Sequence, residues 1–73
     1  MTILEALSVC DMEDTVRLCQ HKKSLDEPAE HEILEPVAEI LYYLSQQLLQ
    51  ETQVALIDVV RGWLTIHYVT NQT

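Results

Sequence analysis

The stretch Gly62-Trp63-Leu64-Thr65-Ile66-His67-Tyr68-Val69 decides how the chain is read. Its residues favour β-structure, and Thr65 and His67 alternate with apolar neighbours as in a half-buried strand. Gly62, the single glycine, suits a turn before it. A strand needs a partner, however, and no second segment reads convincingly as one. Read as a helix, the stretch continues a pattern that begins upstream. Leu56, Val59, Val60, Trp63 and Ile66 recur at helical spacing, and Val54, Ile57, Leu64 and Tyr68 do so at least a quarter-turn away. At ~3.6 residues per turn the two sets cover more than half the circumference, whereas an ordinary surface helix carries one stripe of roughly 100° or somewhat more. We therefore expect a helix with a surplus apolar face that meets another chain.

Upstream, Gln46, Gln47, Gln50, Glu51, Thr52 and Gln53 fit the outer face of the same helix, and neither glycine nor proline separates Leu49 from Val54. Ile33, Val37, Ile40, Leu44 and Leu48 step by four and three, with Leu34 and Leu41 widening the stripe. Pro36 lacks an N–H and disfavours a helical residue before it, so the helix either kinks there or starts afresh. Tyr42 and Tyr43 flank the stripe. In the first segment Ile3, Leu7 and Cys10, then Met12, Val16 and Cys19, step the same way. Asp11 could cap a restart between them, so one bent helix or two short ones fit. Residues 21–27 are polar and read as a linker, and Pro28 suits a first helical turn. The expected fold is all-α. One domain spans residues 1–73, a small helical hairpin or three-helix arrangement with a long C-terminal helix. Residues 2–20 form its first helical segment, 28–69 are helical with a possible kink at Pro36, and 70–73 form a frayed tail.

With 73 residues, the chain is short enough to be marginal without a staple or a partner. Cys10 and Cys19 would lie too far apart on one helix for a disulfide, and the N-terminus has no signal-peptide pattern. Both point to a reduced, cytoplasmic protein. Glu51, Asp58 and Arg61 interrupt the apolar half, so no membrane span is expected. Twelve acidic residues against four basic ones give a net charge of −8. Only Arg17, Lys22, Lys23 and Arg61 could meet phosphates, which argues against nucleic acid as a partner.

No catalytic constellation emerges. Cys10, Cys19, His21, His31 and His67 lack zinc-site spacing. His31-Glu32 lacks the second histidine of a metalloprotease helix, and a single glycine forms no phosphate loop. Asp58 and Arg61 read as a surface ion pair. We expect no enzyme activity, no metal and no cofactor. The expected activity is binding of another protein through Val54, Ile57, Trp63, Leu64 and Tyr68, with Tyr43 as a further anchor. Trp63 fits closure of the chain's own core equally well, and a second copy is one candidate partner.

The opening Met1-Thr2-Ile3-Leu4-Glu5, together with Tyr43-Leu44-Ser45-Gln46-Gln47 and the apolar end Ile66-His67-Tyr68-Val69, resembles the small co-chaperones of type III secretion needle subunits. The resemblance implies a helical protein that pairs with a tetratricopeptide-like chaperone and keeps a needle subunit monomeric before export. Two other readings stand beside it. One is a small acidic regulator or inhibitor that blocks a basic protein, of the antitoxin or phage type, with contacts at Glu27, Glu30 and Glu35 and a steep salt dependence. The other is a self-associating structural protein.

Overall fold

The computed structural model describes residues 1–70. The chain is a mixed α/β domain whose elements run α1 (Ile3–Ser8), β1 (Thr15–His21), β2 (His31–Pro36), α2 (Val37–Tyr43), α3 (Gln46–Glu51), β3 (Leu56–Val60) and β4 (Trp63–Val69). The four strands form one sheet in the order β2-β1-β4-β3. β1 runs antiparallel to β2 and parallel to β4, and β3 and β4 form a hairpin. The all-α expectation, with its helical hairpin, is therefore wrong.

Residues 63–69 are a strand because they do have partners. Val16 lies beside Leu64 and Leu18 beside Ile66 on one side, while Ile57 lies beside Ile66 on the other. The hairpin turns on Arg61 and Gly62, whose φ angles are +55° and +84°. Two successive positive φ values twist the chain in the sense that antiparallel strands need, which is why glycine stands there. Leu56, Val59 and Val60 thus belong to one strand, and their helical spacing with Trp63 and Ile66 spans a strand–turn–strand unit.

The helical segments are shorter than expected. Thr2 caps α1 by accepting from the Glu5 N–H at 3.2 Å, and Glu5 Oε1 accepts from the Thr2 N–H at 2.8 Å. This reciprocal cap holds the Glu5 carboxyl below its ordinary value, chiefly through the Thr2 backbone N–H. α1 stops at Ser8, and Asp11 closes a turn with Asp14 instead of restarting a helix. Pro36 ends β2 and stands as the extended residue before α2, so a helix starts there and nothing kinks. Ser45 accepts from the Leu48 N–H at 3.1 Å and opens α3 as a separate helix. Thr70 donates its N–H to the His21 carbonyl at 2.9 Å. The rest of the expected frayed tail lies outside the described residues.

All three helices contribute to one core against one face of the sheet. Ile3, Ala6 and Leu7 from α1, Val37 and Ile40 from α2, and Leu49 from α3 meet Val16, Leu18, Ile66 and Tyr68 from the two central strands. Side chains alternate across a strand, so Arg17, Cys19, Thr65 and His67 point to the opposite, outer face. Among the described residues no helix is long and apolar enough to cross a membrane.

Candidate interaction surface

Sheet order determines which apolar residues remain uncovered. The helices pack over β1 and β4, in the middle of the sheet, and β3 lies beyond them at one edge. Its inner-face residues Ile57 and Val59 are 43% and 65% exposed, and its outer-face residue Leu56 is 46% exposed. β3 is thus apolar and open on both sides. Trp63, 38% exposed at the start of β4, continues the apolar surface across the turn. It shares a cleft of ≈ 300 Å³ with Leu64, Cys10, Asp14, Thr15, Val16 and Gly62.

The residues expected to contact a partner separate into three groups. Ile57 and Trp63 lie on the exposed hairpin. Val54 and Leu64 are partly buried and pack against the core. Tyr68 is 3% exposed inside that core, where its hydroxyl meets Gln20 Oε1 at 3.3 Å. Burial therefore removes Tyr68 from any contact surface and pushes its phenol above the ordinary value. Tyr43 is exposed at the end of α2, edge-on to the still more exposed Tyr42, on an element separate from the hairpin. The helical spacing puts Leu56 and Val59 on the stripe turned to the core, so it does not mark them as contacts. Once 56–60 is known to be an edge strand, both of its faces are in view.

The outer face carries the chemistry-bearing side chains. Arg17 Nη1 donates to Glu32 Oε1 at 2.8 Å. Cys19 lies between Glu32 and His67 in the register. Burial pushes its thiol up, Glu32 pushes it further, and Arg17 opposes both. Such a thiol stays protonated at neutral pH and is a poor nucleophile. Burial likewise raises the Cys10 thiol, with Asp14 and Asp11 adding to it. The two cysteines are unpaired. His67 Nδ1 lies 2.9 Å from His21 Nε2, and His21 Nδ1 lies 3.0 Å from the Glu27 carbonyl. The carbonyl can only accept, so His21 Nδ1 carries a proton. In the neutral pair His67 Nδ1 then donates to His21 Nε2. Burial, followed by the charge of His21, lowers the His67 imidazole below its ordinary value, against the pull of Asp58 and Glu32. Among the described residues no group of three or more His, Cys, Asp or Glu side chains converges as metal ligands do.

No family model, curated protein or solved structure matches this chain. The resemblance to needle-subunit co-chaperones implied a helical docking face. The residues assigned to that face from their helical spacing lie instead on or beside the β3–β4 hairpin and partly in the core.

Proposed function

We propose that this chain is a protein-binding module, not an enzyme, and that it binds through the β3–β4 hairpin. One observation carries the reading: Leu56, Ile57 and Val59 leave both faces of an edge strand apolar and open, with Trp63 beside them. An exposed hydrophobic edge is a liability that proteins normally blunt, and its persistence in a chain of 73 residues is explained by a partner. Unpaired Cys10 and Cys19 fit a reducing compartment such as the cytoplasm. Of the expectations drawn from the sequence, binding of another protein carries over. The co-chaperone role rests on the sequence resemblance alone, and no comparison bears on it.

A photo-crosslinking residue placed at Val59, and separately at the exposed Leu25 in the loop that leads to the opposite edge strand β2, tests the reading in the cell that makes the protein. A discrete adduct of defined mass from Val59 and none from Leu25 is the expected result. Identical smears from both positions, or no adduct from either, would overturn it.

The acidic-regulator reading needs Glu27, Glu30 and Glu35 to share one surface. Glu27 and Glu30 are exposed in the loop between β1 and β2. Glu35 is only partly exposed on β2 and faces inward with Ile33. The three do not form one surface, so the acidity acts as a general field and not as a contact site.

A further inference from the structure

We propose that the free edge of β3 binds its partner by strand addition, and that the incoming segment is extended, apolar and basic, with a lysine or arginine opposite Asp58. This deepens the protein-binding reading and rests on it.

The two edges of the sheet differ. β2 carries Glu32, Glu35 and His31 and ends in Pro36, which has no N–H to offer; charge and proline are the usual protections of an edge. β3 has neither lysine nor proline, and Asp58 is its single charge. The backbone just before it is already taken. Thr2 bridges Gln53 in the antiparallel sense, Val54 donates to the Met1 carbonyl at 2.8 Å and Ile3 to the Thr52 carbonyl at 3.1 Å. The unpaired stretch therefore begins with β3 itself.

A two-residue turn makes Val60 and Trp63 a hydrogen-bonded pair, and such pairs recur at every second residue. Leu56, Asp58 and Val60 therefore bond to β4, and the backbone groups of Ile57 and Val59 point outward. The Val59 N–H is occupied by the carboxylate beside it, Asp58 Oδ1 at 2.8 Å. That carboxylate holds the place of a partner's carbonyl. An incoming strand that bonds to the Val59 N–H displaces Asp58 Oδ1 and leaves the carboxylate facing the residue across from it. A cation there restores the lost interaction.

Charge decides between partners. At −8, the chain attracts a basic segment and repels its own copies. Self-pairing through the outward groups of Ile57 and Val59 would also set Asp58 directly opposite Asp58 of the copy, and like charges in that position destabilise a pair.

The probe is an acetylated, amidated peptide alternating valine and lysine, with its valine–glutamate counterpart as control, titrated against the ¹⁵N-labelled chain. The lysine peptide is expected to shift the amides of residues 56–60 saturably and to protect the Ile57 and Val59 amides from hydrogen exchange. Asp58→Asn keeps an acceptor for the Val59 N–H but removes the charge, and it should weaken the lysine peptide by a factor of about five. Asp58→Lys should reverse the preference to the glutamate peptide. Val59→Lys, a solvent-facing change that leaves the β3–β4 ladder intact, should abolish binding in a folded chain. Equal binding of both peptides, binding without protection of Ile57 and Val59, or dimerisation through β3 would overturn the proposal. Strand addition fails alone if the Val59 adduct forms in cells and the edge amides stay unprotected. Absence of both the adduct and peptide binding removes the protein-binding reading as well.

Discussion

His21 Nε2 and His67 Nδ1 lie 2.9 Å apart and tie β1 to β4, while the second nitrogen of His21 holds the Glu27 carbonyl of the intervening loop at 3.0 Å. The loop between β1 and β2, the end of β1 and the end of β4 are thus joined through one imidazole. The bond requires one bare nitrogen facing one N–H. With both rings protonated, two donors face each other and the bond is lost.

Stability should therefore depend on pH in the imidazole range. Burial and the neighbouring His21 lower His67 from the ordinary 6.5, so below that value the unfolded chain binds more protons than the folded one. Stability is then full above about pH 6.5, and it falls as pH drops through that value towards the lowered one. Urea midpoints measured from about pH 7.5 to about pH 5.5 should decrease. His67→Asn places an amide N–H near the position of Nδ1 and does not titrate, so it should flatten this dependence. A wild-type midpoint that stays level across the range would show that His67 is not held neutral by the fold.

The turn offers a sharper test of backbone conformation. Gly62 has φ +84°, and a Cβ added there would meet nothing within 4 Å. Gly62→Ala therefore costs only what the backbone conformation costs, about 1–2 kcal/mol. In a domain of this size that lowers Tm by about 4–8 °C per kcal/mol. Arg61, at φ +55°, carries the same strain with a side chain present. Arg61→Asn should stabilise by up to about 1 kcal/mol, because asparagine tolerates this region. Thermal unfolding of the two single variants checks both signs.

Particular residues show why part of this fold was legible and part was not. Gly62 as a turn and the alternation through Thr65 and His67 were visible, and they describe β4 correctly. The partner strand was hidden. In Thr15-Val16-Arg17-Leu18-Cys19, Val16 and Cys19 fit a helical step while Val16 and Leu18 fit a strand. Only pairing of Val16 with Leu64, far along the chain, decides between them. The run Ile33, Val37, Ile40 kept helical spacing across the junction at Pro36, where a strand ends and a helix begins. The surplus of apolar residues between 54 and 69 was legible as well. Assigning it to a helix face placed Tyr68 outside and Val59 inside, the reverse of what sheet order dictates.

The N-terminal cap makes a separate prediction, because Thr2 both caps α1 and bridges Gln53. Thr2→Ala removes the hydroxyl that accepts the Glu5 N–H and should cost about 1 kcal/mol. Thr2→Ser keeps that acceptor and should recover most of the loss. If alanine and serine are equally destabilising in urea, the methyl group matters more than the cap.

The reversal of Tyr68 and Val59 is itself testable. Tyr68 is 3% exposed among Leu7, Val16, Ile66 and their neighbours, so Tyr68→Asp buries a carboxylate with no cation at hand and should unfold the chain. Tyr68→Phe removes only the 3.3 Å contact of the hydroxyl with Gln20 and should cost about 0.5–1.5 kcal/mol. Val59, 65% exposed, tolerates lysine within about 0.5 kcal/mol. Near-ultraviolet circular dichroism and urea midpoints separate the three. A folded Tyr68→Asp chain with a wild-type midpoint would put Tyr68 on the surface and the core elsewhere. Loss of structure in Val59→Lys would mean that the β3 edge is already engaged within the chain.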